Sequence, residues 1–242
     1  MLEFDARFGC CEVPIGLNTA CIAVELPSGD FVDKGLFIME RKLIAEYERL
    51  HRASNYGNTG SKSLSDILPH ILALAPSSLI DYGCGQSDLA AKLARKANIA
   101  HICCYDPAIP ELSERPREHF DVLVSIDVLE HIPDSEINSV LADMASLATH
   151  ALIVVDTGPA ATLLSDGSNA HVSQHDGTWW FARLRPHFPA LRPIPIARKR
   201  RIAFKTFHAQ LSPVAHHWIV LRENVIRRAT RFRRKFRDSR PA

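Results

Sequence analysis

Residues 78–96 constrain the fold more than any other segment of the chain. Ser78-Leu79-Ile80-Asp81-Tyr82 is an apolar run of strand length, Gly83-Cys84-Gly85 a tight turn, and 87–96 an Ala- and Leu-rich helix. A strand that turns through glycines into a helix needs a crossover before the chain can pair again, which favours a parallel sheet with right-handed connections. The alternation continues downstream. Residues 101–105, 120–126 and 151–156 read as further strands, 135–148 and 178–188 as helices. This order predicts an α/β fold with a doubly wound, mostly parallel sheet. Residues 201–207 and 214–221 read as two last strands, close enough to pair as a terminal antiparallel hairpin.

Upstream, Leu36, Ile38, Met39, Leu43, Ile44, Tyr47 and Leu50 recur at helical spacing and predict an amphipathic helix over 36–52. A loop rich in Asn and Gly follows at 54–60, then a second helix over 63–75, stopped before Pro76. Residues 1–35 hold short apolar runs broken by Pro14, Gly16, Pro27 and Gly29, the pattern of a small β-rich N-terminal extension. The expected organisation is therefore an extension over 1–35, one main domain over 36–221 and a tail over 222–242. A chain of 242 residues with 46% hydrophobic and 23% charged residues has the make-up of one decorated globular domain. No apolar run approaches the roughly 18–20 residues of a membrane span. Glu3 and Asp5 stand where a secretory signal is basic, so the expected compartment is the cytoplasm. The six cysteines, at 10, 11, 21, 84, 103 and 104, form no C-x-x-C pair and read as reduced thiols.

In open α/β sheets, ligands bind at the carboxyl ends of the strands, where a glycine turn lets the backbone approach and a helix N-terminus faces the ligand. The 83–85 turn lies there. A dinucleotide fingerprint would carry a third glycine at position 88; Asp88 stands there instead, and its charge opposes a pyrophosphate. Asp81, two positions before the first glycine, suits a cationic or amine-bearing ligand. Asp106, about 20 residues past the turn and just after a strand, is placed to accept hydrogen bonds from ribose hydroxyls. Together these residues describe an adenosine carrying a positive group.

The same residues resemble the class I S-adenosylmethionine-dependent methyltransferases. Asp81-Tyr82-Gly83-Cys84-Gly85 is similar to the first motif of that superfamily, Tyr105-Asp106 to its acidic ribose-binding strand end, and the run from Phe120 to Pro133, with Ile126, Asp127, Glu130 and His131, to its fourth-strand motif. The resemblance spans about 50–221. It implies a Rossmann-like, seven-stranded sheet with a terminal antiparallel hairpin in a methyltransferase domain. It further implies S-adenosylmethionine held by Asp81, Tyr82, Gly83, Cys84, Gly85, Asp106, Ile126 and Asp127, and methyl transfer to an acceptor. Intact Asp81, Gly83, Gly85 and Asp106 speak against a catalytically silent binding scaffold.

The sulfonium methyl is already activated, so what remains is to align an acceptor and raise its nucleophilicity, for an alcohol by a general base or a metal ion. Asp127, Glu130 and His131 stand at i, i+3 and i+4 beyond a strand end, where one helical turn puts them on one face. His171 follows the 151–156 strand on the same rim. Two carboxylates and two imidazoles suit a divalent ion such as Mg, Mn or Zn. The arrangement resembles metal-dependent small-RNA 3′-terminal 2′-O-methyltransferases, with Asp127 in place of their first Glu. Related Glu-His pairs occur in quinone-biosynthesis O-methyltransferases. The alternatives are His131 as a metal-free base, or carboxylates that only orient the cofactor or cap a helix. His175, Trp179 and Trp180 read as core and rim or as a stacking platform, and Tyr56 and Gly57 as a lid or a plain connector.

The formal charge of +2 is unevenly spread. Residues 222–242 hold nine Lys/Arg against Glu223 and Asp238, or +7, which leaves 2 − 7 = −5 for the rest. With Val225, Ala229, Phe232 and Phe236 in line, the tail reads as a basic amphipathic helix. It fits a peripheral place on the inner membrane surface, a nucleic acid, or packing on the body. The function expected from the sequence is O-methylation of a hydroxyl on a small-molecule or glycan-like polyhydroxylated acceptor, the body having no basic groove; its rival is a ribose 2′-hydroxyl of RNA.

Overall fold

The computed structural model describes residues 41–54 and 56–238. The expected N-terminal extension lies outside the described residues. Within them, six strands form one sheet in the order β2-β1-β3-β4-β6-β5: β1 (Ser78–Tyr82), β2 (His101–Tyr105), β3 (Phe120–Ile126), β4 (Ala148–Asp156), β5 (Arg192–Ile194) and β6 (Arg201–Lys205). Strands β2, β1, β3 and β4 are parallel neighbours; β6 pairs antiparallel with both β4 and β5. The fold is the expected doubly wound α/β architecture.

The central strands are buried on both sides, which is why β1, β3 and β4 read as continuous apolar runs. On one face lie α4 (Ile137–Leu147) and α5 (Gly177–Leu184). The buried residues of α4, Ile137, Val140, Leu141, Met144 and Leu147, keep the i, i+3, i+4, i+7 spacing of one helical face and meet Phe120, Leu123 and Trp180. On the other face lie α2 (Leu64–Leu74), which follows a short 3-10 turn, and α3 (Leu89–Ala97). They bury Ile67, Leu68, Ile71, Leu89 and Leu93 against Leu79, Val122 and Val124. The first helix, α1 (Arg41–Ala53), crosses the rim above the sheet, where Tyr47 and Leu50 pack on Ala108, Leu164 and Ala170.

Two expectations need correction. The sheet has six strands among the described residues, not seven, and 214–221 is not a strand. That segment opens α6 (Pro213–Asp238), one helix running through the expected boundary at 222. The terminal antiparallel pair does exist, but β6 finds its partner upstream in β5, a three-residue strand. The run of Trp218, Ile219, Val220 and Leu221 looks β-like over eight residues. Over the 26 residues of the helix it resolves into two opposite helical faces.

Candidate active site

From β1 the chain crosses to β2 on one side and later to β3 on the other, so a crevice opens above the carboxyl ends of β1 and β3. A cleft lies there, about 810 Å³ when its open mouth is included. Its walls include Gly83, Gly85, Asp106, Asp127, Val128 and His131. All four tyrosines of the chain, Tyr47, Tyr56, Tyr82 and Tyr105, line it as well.

The glycine turn is built for close approach. Gly83 has φ +74° and Gly85 φ +53°, the left-handed region that side chains disfavour. A Cβ on Gly85 would sit 2.4 Å from the Gly57 carbonyl oxygen, so the 83–85 and 56–57 turns touch backbone to backbone. Asp106 fastens this corner. Its Oδ2 accepts the Gly85 N–H at 2.8 Å and its Oδ1 the Ala108 N–H at 2.9 Å. Burial raises its carboxyl above the usual range, against those two hydrogen bonds. A carboxylate has about four lone-pair positions, so Asp106 retains acceptor capacity on the cleft side.

Three of the expected cofactor residues stay behind the cleft wall. Asp81 is fully buried on the sheet face that carries α3, because side chains alternate along β1; it accepts the Ala90 N–H at the start of that helix and leaves Oδ2 without a partner. Burial first, then the charge of Asp106, pushes its carboxyl up to about 7. Asp81 thus fastens the turn and α3 to the sheet. Cys84 is buried with its thiol hydrogen-bonded to Cys104, and Ile126 packs in the core beneath α2 and α3.

On the acceptor side, Glu130, His131 and His171 come together. One ligand atom from each lies within 4.8 Å of the others. The His131 Nδ1 is 2.7 Å from the Ala170 carbonyl oxygen and the His171 Nδ1 is 2.6 Å from that of Gly158. A carbonyl only accepts, so both rings donate from Nδ1, which leaves Nε2 of each ring as the nitrogen turned to another partner. Glu130 is fully buried; Oε1 accepts the Asp156 N–H at 3.1 Å and Oε2 has no partner. His131 forms the cleft wall, with His171 edge-on behind it at 4.8 Å between ring centres. Burial, then the neighbouring His171, lowers the His131 imidazole to about 4 and keeps it neutral.

Asp127 does not join this cluster, contrary to expectation. Arg201 forks onto both its oxygens at 3.0 and 3.1 Å, Arg198 donates to Oδ2 at 3.1 Å, and Thr59 donates to the same oxygen at 3.2 Å. Burial opposes its charge, but the two guanidinium groups outweigh that and hold the carboxyl below its ordinary value. With its lone pairs taken, Asp127 stays on the cleft wall as an anion, at φ +57°. Arg201 also bridges to Asp156 at 2.9 Å.

A family model described as a methyltransferase domain matches residues 43–197, well over half of the chain. The chain belongs to the class I S-adenosylmethionine-dependent methyltransferases. Among solved structures it is similar to an O-methyltransferase family protein from Burkholderia thailandensis, at 16% identity over 72% of this chain and 63% of that one, with a TM-score of 0.45. It is also similar to the 1,6-didemethyltoxoflavin-N1-methyltransferase of the same organism, at 12% over 75% and 92%, TM-score 0.49. For human N-acetylserotonin methyltransferase the values are 15% over 74% and 59%, TM-score 0.43. The chain therefore spans about three fifths of the first and third of these proteins. No curated protein matches the sequence.

The cofactor of this methyltransferase is S-adenosylmethionine, and the cleft fits it: a glycine turn offers backbone free of Cβ atoms, and a buried carboxylate lies on the wall. Several contributors were not singled out in the sequence. Asp143, on α4, accepts from the Tyr82 hydroxyl at 2.8 Å and pairs with Arg115, closing the cleft floor. Tyr47 donates to the Ala170 carbonyl at 2.8 Å, and His51 on the same helix also lines the cleft. Arg198, Arg201 and Asp156 act on Asp127. One signal was available for these: Asp156 ends β4 and Arg201 begins β6, and antiparallel pairing sets the two opposite. Trp180 is fully buried core, while Trp179 stacks on His175 at 3.6 Å away from the cleft. Tyr56 and Gly57 do line the cleft.

Proposed function

We propose that this methyltransferase transfers its methyl group to a hydroxyl of a small or glycan-like polyhydroxylated acceptor, with a divalent metal ion held by Glu130, His131 and His171. The observation that carries the reading is the pair of imidazoles whose Nδ1–H groups are fixed on backbone carbonyls, beside a buried carboxylate with one oxygen unpartnered. Ligand histidines are oriented in this way by a second hydrogen bond, and the donor set of one oxygen and two nitrogens is acceptable to Mn or Zn and, less well, to Mg. A bound metal supplies Lewis acidity that eases deprotonation of an alcohol.

The remaining work falls to the chain itself. Asp106 is placed to accept from the hydroxyls of the cofactor ribose, and the 83–85 turn lets the backbone approach the methionine part. Asp127, kept anionic by Arg198 and Arg201, presents negative charge on the wall shared with His131. Tyr47 and Tyr56, 5.1 and 6.1 Å from the His131 ring, exclude water from the acceptor side, which strengthens every charge interaction there. The net transfer forms an oxygen–methyl bond, breaks the sulfur–methyl bond and releases the hydroxyl proton.

Chelation tests the reading. Turnover with a hydroxylated acceptor is expected to disappear on metal removal and to return with added ion, while calorimetry shows cofactor affinity nearly unchanged; the Glu130→Gln protein should respond to neither treatment. Full turnover in chelator would remove the metal from the mechanism.

A further inference from the structure

Helix α6 is amphipathic in the inverted sense, with an apolar line on its outer side. Its inner side docks on the body: Ile219 packs beneath α2 and α3, Glu223 is buried and accepts from Lys96 at 2.9 Å, and Arg227 reaches the Lys62 carbonyl. Val214, Trp218, Leu221 and Val225 follow one another at intervals of four, three and four residues. At about 100° per residue they fall within roughly 60° of one another and nearly opposite Glu223. They are 67, 64, 44 and 57% exposed. Six of the eight large hydrophobic residues exposed among the described residues are on this one helix, so the stripe is a feature of α6 and not of the surface at large.

Charge decides what can cover it. Arg222 and Arg228 flank the line and are exposed, while Glu223, the one acid between 213 and 237, is turned inward. From residue 222 onward the sequence carries +7 against −5 for the rest. The partner must therefore offer anions and an apolar layer side by side in one plane. A nucleic acid offers phosphates but no apolar layer along the line. A second copy of the helix offers the apolar line but brings arginine against arginine. An anionic bilayer surface offers both, phosphates at the level of the arginines and acyl chains below them.

We propose that the outer face of α6 lies in the plane of an anionic lipid surface, with Val214, Trp218, Leu221 and Val225 entering the headgroup boundary and the flanking arginines on lipid phosphates. No helix among the described residues is long and apolar enough to cross a membrane, so the contact is peripheral.

Flotation of the full-length protein with phosphatidylcholine vesicles, with and without phosphatidylglycerol, tests this. Flotation is expected only with the anionic vesicles, weakened severalfold by raised salt and accompanied by a blue shift of emission that the Trp218→Phe protein lacks. Trp218→Glu and Val225→Glu, at exposed positions, should each lower vesicle partitioning by roughly tenfold or more while leaving the melting curve and cofactor binding unchanged. Absence of flotation, or flotation indifferent to both substitutions, would overturn the proposal. So would a shift from dimer to monomer in Trp218→Glu without lipid binding, which would assign the stripe to a second copy, or RNA binding that depends on Trp218 in its place.

Discussion

Asp106 could be read from the sequence because its position is local: it follows the end of a strand, at a fixed distance from a glycine turn. The structure adds that its two oxygens hold the Gly85 and Ala108 amides, so one carboxylate both shapes the turn and lines the cleft. Asp106→Ala is therefore expected to weaken S-adenosylmethionine binding by about 1–3 kcal/mol, the cost of removing a hydrogen-bonded charged group, as read by calorimetry; an unchanged dissociation constant would refute the assignment. The metal role expected of Asp127 was misread for the opposite reason. Its partners Arg198 and Arg201 lie 71 and 74 residues away in sequence, and no local spacing announces a carboxylate whose charge is already matched. Asp81 and Ile126 lie behind the cleft wall because alternation along β1 and β3 turns their side chains toward α2 and α3, and Cys84 because its thiol turns from the glycine turn to Cys104.

Elements with one continuous burial pattern were legible, and short or doubly patterned ones were not. Strands β1, β2 and β3 match their expected limits, and α4 shows the helical period that its sequence carries. Strand β5 has three residues, one of them Pro193, too few for any period to emerge. Helix α6 looked like a strand over 214–221 because two apolar faces interleave there. At the N-terminus of α5, Asp176 accepts the Trp179 N–H at 2.9 Å and so satisfies an amide that has no partner inside the helix. Asp176→Ala should cost about 1 kcal/mol of stability in denaturant unfolding, with cofactor affinity unaffected because α5 stands away from the cleft.

For the molecule as a whole, one expected source of acid sensitivity is a histidine far from the chemistry. His70 of α2 is buried between β6 and α6, with Lys205 3.4 Å from Nδ1 and the His216 ring 5.2 Å away. Burial first, then the charges of Lys205 and His216, lowers it from 6.5 to about 4. The folded state therefore binds fewer protons than the unfolded chain between those two values. Its contribution is fully present above pH 6.5 and is lost as pH falls towards about 4, by up to about 3 kcal/mol. Denaturant titrations across that window should show a steeper loss in the wild type than in His70→Leu; parallel curves would exclude His70 as the cause.

What the chain determines by itself is the alternation of strand and helix, the glycine turn and the acid that follows β2, because each depends on neighbours within a few residues. That local grammar fixes the parallel core of the sheet, the switch point and the family of reactions. Tertiary structure alone decided which rim residues are free and which are spoken for: it locked Asp127 between two arginines and turned the apolar line of α6 outward. Those outcomes rest on charge pairing and burial between segments dozens of residues apart, where the energy belongs to the contact and leaves no spacing in the sequence.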